Sequence, residues 1–134
     1  MSRSDSLIAA LVVPADPAYL TICRHALVGA AAGLAIDDDQ LDDLKLLLSE
    51  TCSNAIVHGY DEDGQGEISV EFRTTPDEIE VTVSDRGHGF RDAAVPEQPG
   101  FGLSLVAQLS DRYQIEPMLD GGGAAVSFAR SFSH

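Results

Sequence analysis

Positive charge is what this sequence has least of. In 134 residues, 8 Lys and Arg stand against 22 Asp and Glu, a formal net charge of -14 at pH 7. Such a surface repels phosphate backbones and anionic headgroups, which argues against direct contact with nucleic acid or membrane. It suits a basic protein partner. It also means that a bound phosphate compound must be held by backbone N–H groups and a metal rather than by many cations. Cysteine is scarce too. Cys23 and Cys52 lie far apart in sequence, in segments that read as helical, with neither a C-x-x-C pair nor a metal-binding spacing. They are expected to be buried free thiols of a cytoplasmic protein. No stretch reaches the ~18–20 apolar residues of a membrane span. Residues 1–5 are polar and no basic region leads into an apolar run, so no signal peptide is expected. Repeats and low-complexity linkers are also missing. With 44% hydrophobic residues, the chain is expected to form one compact domain over residues 1–134.

What is there reads as alternating patterns. Residues 7–13 form a short apolar run, stopped by Pro14 and Pro17, which predicts a first strand. A helix is predicted over residues 18–34. A second begins at Asp37-Asp38-Asp39-Gln40, where acidic side chains suit the positive end of a helix dipole and Asp37-x-x-Gln40 matches a capping box. Leu41, Leu44, Leu48 and Ala55 carry it on to His58-Gly59. Ile68, Val70 and Phe72, then Ile79, Val81 and Val83, alternate on either side of Thr75-Pro76-Asp77, a hairpin signature. A glycine-bearing loop over residues 85–102 leads to a third helix at 103–109. Strands near 113–118 and 125–128 close the chain across Asp120-Gly-Gly-Gly123. The order β-α-α-β-β-loop-α-β-β predicts an α+β fold: a two-layer α/β sandwich with helices on one face of a mixed, mostly antiparallel sheet.

Three clusters could carry chemistry. Glu50, Asn54 and His58 are four apart, so they line one face of the second helix, offset from the leucine stripe. A carboxylate and an amide oxygen one turn apart can hold Mg²⁺ with its waters, or position a nucleophile. An ordinary solvated face near a helix end has the same spacing. Asp85-Arg86-Gly87-His88-Gly89-Phe90 follows a strand directly. An ionised Asp there can accept a hydrogen bond from an exocyclic amine such as N6 of adenine, whereas guanine would leave it facing a carbonyl. The paired glycines let backbone approach a base closely. A plain Asp-x-Gly turn is the other reading. Gly100-Phe101-Gly102 opens the third helix, where free N–H groups and the dipole suit a phosphate, or where glycine serves only as a hinge. The Gly-Lys-Ser/Thr ending of a Walker A loop is missing, and no strand immediately precedes these glycines as a Rossmann fingerprint requires. His25, on an otherwise apolar helix, is expected to be a packing histidine.

The order of the clusters is more specific than any one of them. A helix with Glu-x-x-x-Asn, a hairpin ending Asp-x-Gly-x-Gly, and a loop to Gly-x-Gly-Leu resemble the N, G1 and G2 boxes of the GHKL ATPase superfamily. Residues 50–60 (ETCSNAIVHGY), with DRGHGF and GFGLSLV beyond, are most similar to the anti-sigma-factor serine kinases of the RsbW and SpoIIAB type. The resemblance implies the Bergerat (histidine-kinase-like) ATP-binding fold, with ATP and Mg²⁺ as cofactors. It makes Glu50 the catalytic base, Asn54 the Mg²⁺ ligand, and Asp85 the partner of adenine N6. Gly87 and Gly89 would line the base pocket, Gly100 and Gly102 would close on the phosphates, and residues 91–99 would form the lid.

The implied reaction is transfer of the γ-phosphate of ATP to a serine of a STAS-domain anti-anti-sigma protein. A sigma factor would be sequestered by the same or an overlapping surface, and homodimerisation is left open. The sequence departs from the family pattern at Phe101, where a basic residue often stands, at Ala124, where Thr often follows the glycine, and in a short lid. These departures define the alternative, a non-catalytic GHKL-fold module that regulates by protein contact. A stand-alone histidine kinase catalytic domain is disfavoured, since nothing here supplies a helix pair bearing a phospho-accepting histidine.

Overall fold

Alternation of period two becomes sheet where one face can be buried, and three segments here have that pattern in full. Ile68, Val70 and Phe72 are completely buried, as are Ile79, Val81 and Val83, and Val126 and Phe128. Their neighbours Ser69, Glu71 and Arg73, Thr82 and Ser84, and Ser127 point to the opposite face, since successive side chains of a strand alternate. The computed structural model describes residues 6–59, 66–75, 77–85, 110, 112–117 and 124–131. Within them lie five strands: β1 (Ser6–Pro14), β2 (Glu67–Thr74), β3 (Glu78–Asp85), β4 (Arg112–Pro117) and β5 (Ala124–Ser131). They form one sheet in the order β1-β2-β3-β5-β4, and every described pairing is antiparallel.

The hairpin between β2 and β3 is fastened by Thr75. Its hydroxyl accepts from the Asp77 and Glu78 amides at 3.2 Å each, and its own amide donates to the Glu78 carbonyl at 3.0 Å. That is the side-chain turn chemistry expected of Ser and Thr. Gly66, which leads into β2, has φ 154°, a value L side chains rarely adopt, and its carbonyl accepts from Ala15 at 3.0 Å.

Helices α1 (Leu20–Ala31) and α2 (Asp38–Gly59) cover the apolar face. The expected first helix is shorter than residues 18–34. Pro17 starts a 3-10 turn, Pro17–Tyr19, in which Asp16 caps the Ala18 amide at 2.9 Å, and α1 proper begins after it. The capping box of α2 is formed as the sequence predicts: Gln40 N donates to Asp37 Oδ1 at 2.8 Å, and Asp37 N to Gln40 Oε1 at 3.1 Å. From there α2 buries Leu44, Leu47, Leu48, Thr51, Cys52 and Ala55, a stripe at spacings of three and four. Each fully buried Leu in it contributes about 2 kcal/mol of transfer free energy. Helices on one face of an antiparallel sheet are the α+β sandwich the pattern called for. The third helix, residues 103–109, lies outside the described residues.

Candidate functional site

The direction of α2 over the sheet decides which candidate residues meet. Its first turns are tied to the end of β5. Gln40 Nε2 donates to the Ser131 carbonyl at 3.1 Å, and Asp43 Oδ2 accepts from Arg130 Nη1 at 2.7 Å. Ser131 and Arg130 pair with Glu78 and Ile79 at the start of β3. The beginning of α2 therefore lies over the beginning of β3, and α2 packs along β3. Eleven residues of helix from Asp43 to Asn54 rise about 16 Å. Six residues of strand from Ile79 to Asp85 rise about 20 Å. Glu50, Asn54 and Asp85 consequently occupy the same end of the molecule, although 31 residues separate Asn54 from Asp85.

Each of the three is positioned by its element. Glu50 and Asn54 are half-buried, one turn apart, on the flank of the stripe that α2 sinks into the core. Both therefore keep access to solvent while their backbone is held by packing. Asp85 is the last residue of β3, opposite Ile68 on β2, and it is completely buried. It continues the alternation of Val81 and Val83, so its carboxyl faces the helix layer. A buried carboxylate is tolerated only with hydrogen-bond donors, and an ionised one accepts without donating. This is the donor–acceptor character that recognises an amine and rejects a carbonyl.

Two further features were not anticipated from the pattern. Thr51, next to Glu50, is completely buried, and its Oγ1 has no hydrogen-bond partner among the described residues. Its signal was its place in the buried stripe, seven residues after Leu44 and four before Ala55. Cys23 and Cys52 are free and buried, as expected, but they also touch: the Cys52 thiol and the Cys23 sulfur share a hydrogen bond across the α1–α2 contact. That bond, with burial, pushes Cys52 well above the usual thiol range. It lowers Cys23, assisted by the neighbouring Arg24 guanidinium, against the opposing effect of burial. His25 is exposed rather than packed. The buried stripe of α1 runs through Cys23, Leu27 and Ala31, and a position two residues after Cys23 falls on the other side of the helix.

The described residues contain no group of three or more His, Cys, Asp or Glu side chains able to hold a metal. Mg²⁺ is usually held by one or two protein oxygens together with substrate phosphates. The Asn54 amide oxygen and the Glu50 carboxylate are donors of that hard type. The helix α2 is the longest described, and no described helix is both long and apolar enough to cross a membrane. Gly87, Gly89, Gly100 and Gly102, the lid at residues 91–99, and the side chain of His58 lie outside the described residues.

Comparison with known proteins bears on this arrangement directly. Residues 13–130 match the histidine kinase-like ATPase domain family. The serine-protein kinase RsbW of Bacillus subtilis is 44% identical over 119 aligned residues, covering 78% of this chain and 74% of that protein. The anti-sigma F factor of Lysinibacillus sphaericus is 31% identical over 122, covering 83% of each. Among solved structures, the RsbU and RsbW domains of Rv1364c from Mycobacterium tuberculosis superpose with a TM-score of 0.69 at 23% identity, over 94% of this chain and 33% of that one. This chain thus spans a third of that larger protein. The SiaB–SiaC complex from Pseudomonas aeruginosa gives 0.60 at 16% identity, over 93% of this chain and 90% of the other. These two structural matches speak to the fold. The chain belongs to the histidine kinase-like ATPase family, as an ATP-using anti-sigma-factor serine kinase of the RsbW type.

Proposed function

We propose that this chain transfers the γ-phosphate of ATP to a serine of a STAS-domain anti-anti-sigma protein, with Mg²⁺, and that it also sequesters a sigma factor. The observation that supports the reading most is the convergence of Glu50, Asn54 and Asp85 at one end of the sandwich, brought about by the course of α2 along β3. In this scheme Asp85 accepts a hydrogen bond from the adenine amine, and its burial makes that choice selective, because a guanine carbonyl would set one acceptor against another with no proton between them. The Asn54 amide oxygen would hold Mg²⁺. Bound Mg²⁺ would supply charge neutralisation at the phosphates, which so acidic a protein cannot provide from its own side chains. Glu50 accepts the proton of the attacking serine hydroxyl. Gly87 and Gly89 would let backbone approach the base, and Gly100 and Gly102 would present amides to the phosphates.

Further parts of the reading are a single domain over residues 1–134, a cytoplasmic location and no direct contact with nucleic acid or membrane. A basic face on the sigma factor would complement the net charge of -14. Self-association as a homodimer remains part of the proposal.

The test is phosphotransfer by the purified chain. With Mg-ATP and a STAS-domain protein from the same organism, mass spectrometry should find one phosphoserine on the STAS protein. Glu50→Gln should lower the rate at least about 100-fold while leaving ATP affinity in place. Binding of the STAS protein without phosphorylation would favour the contact-only regulator that Phe101 and Ala124 suggest.

A further inference from the structure

Two thiols in contact inside a core are an unusual use of cysteine, and their surroundings point to chemistry. Cys23 on α1 and Cys52 on α2 are 1% and 0% exposed and belong to one core cluster. A side-chain contact beside them holds α1 to α2 at this level. Arg24, next to Cys23, donates from Nη1 to Ser49 Oγ at 3.2 Å, and Ser49 stands one turn before Cys52. The two sulfurs then share the hydrogen bond described above. Cys52 lies two residues from both Glu50 and Asn54. The helix that carries Cys23 is weakly held at its ends: α1 has no side-chain cap at Tyr19, no acidic residue in its first turn and no basic residue in its last. Such a helix opens locally more readily than the long, capped α2.

We propose that Cys23 and Cys52 form a reversible two-electron redox site whose oxidant is a hydroperoxide, and whose disulfide ties α1 to α2 beside Glu50 and Asn54. With hydrogen peroxide, the Cys23 thiolate attacks one peroxide oxygen, the O–O bond breaks, and Cys23 becomes a sulfenic acid as hydroxide leaves and takes up a proton to form water; an organic hydroperoxide releases its alcohol instead. Cys52, giving up its proton, attacks the Cys23 sulfur. The S–S bond forms, the S–O bond breaks, and the hydroxide leaves as a second water. Two thiols and one hydroperoxide are consumed; for hydrogen peroxide the products are one disulfide and two waters. A dithiol reductant reverses it. In a reducing compartment such a bond would be transient, the usual state of a sensing disulfide. Drawing the two sulfurs from hydrogen-bonding to covalent distance moves the α2 turn that carries Glu50 and Asn54. On the reading given under Proposed function, that displacement lowers ATP affinity.

The experiment treats the whole chain with hydrogen peroxide, removes the peroxide, unfolds the protein and alkylates it with N-ethylmaleimide. The expected mass shows the loss of two hydrogens and no alkylation. Proteolysis should give a peptide joining Cys23 to Cys52, and dithiothreitol should restore two alkylatable thiols. Oxidised protein should melt higher than reduced protein. Cys23→Ala and Cys52→Ala should each abolish the cross-link, and wild-type peptide mapping decides the matter even if a variant folds poorly. Two thiols still alkylatable after oxidation, separate sulfinic acids, or disulfides only between molecules would overturn the redox site. Titration with Mg-ATP reads the consequence, and oxidation should weaken binding about tenfold or more. An intramolecular disulfide with unchanged ATP affinity would overturn the coupling to the site. A chain that forms the disulfide yet binds no ATP in either state would overturn the nucleotide reading and leave the redox site standing.

Discussion

At the scale of single residues, burial divides the roles. Asp85 is enclosed at the end of a central strand, so its substitution should alter recognition more than local solvation. Asp85→Asn should weaken ATP binding about 100-fold and erase the preference over GTP, because the neutral amide accepts more weakly from the adenine amine and can turn its NH2 to the guanine carbonyl. Circular dichroism melts would separate that effect from loss of fold. Thr51 carries the opposite expectation. Its Oγ1 is buried without a partner among the described residues, and an unmade hydrogen bond costs stability. Thr51→Val, nearly the same shape, should therefore stabilise the protein by about 1 kcal/mol in urea unfolding. Destabilisation would mean that the hydroxyl is satisfied in solution.

At the scale of elements, α2 carries the account, because it sets both the cap at one end and the candidate site at the other. Asp37→Ala removes half of the capping box and should cost about 1 kcal/mol, seen as a lower melting temperature. The Asp43–Arg130 pair, at 2.7 Å and half-buried, fastens the start of α2 to β5. A double-mutant cycle with Asp43→Asn and Arg130→Met should give a coupling energy of about 1 kcal/mol. Elements of this kind are legible in sequence because their causes are local. Asp37-x-x-Gln40 predicts its own cap, and the alternation of Ile68, Val70 and Phe72 predicts a strand half-buried on one face. The face shared by Glu50 and Asn54 was legible for the same reason, since it depends only on helical period. What was not legible depends on tertiary contact. The meeting of Glu50 and Asn54 with Asp85 was implied by the family resemblance and not by the pattern, since it needs the direction of α2 over β3, which Gln40 and Arg130 fix through residues some ninety positions away. The meeting of Cys23 with Cys52 needs the crossing of α1 on α2, and no spacing rule predicts it. The start of α1 was placed too early because Pro17 favours a first helical turn without specifying whether that turn is 3-10 or α.

At the scale of the whole molecule, the surplus of acid decides how the chain behaves and what it can bind. Many of its carboxylates are exposed, Asp38, Asp39 and Asp42 on α2 among them, and they repel one another in the folded state. Raising salt from about 20 mM to about 500 mM shortens the Debye length to a few ångströms and should raise the urea midpoint. A midpoint that falls would show that ion pairs such as Asp43–Arg130 outweigh the repulsion. The same surplus explains why a triphosphate would need a metal here; on the proposed reading, the Asp85 carboxylate at the end of the sheet recognises its base.

Isothermal titration of the purified chain with ATP and with GTP, each with and without Mg²⁺ and repeated on Asp85→Asn, tests that claim most directly. The account predicts Mg²⁺-dependent binding of ATP, selectivity over GTP, and loss of both in the variant. Absence of heat at millimolar ATP, or equal binding of the two nucleotides undisturbed by Asp85→Asn, would contradict it.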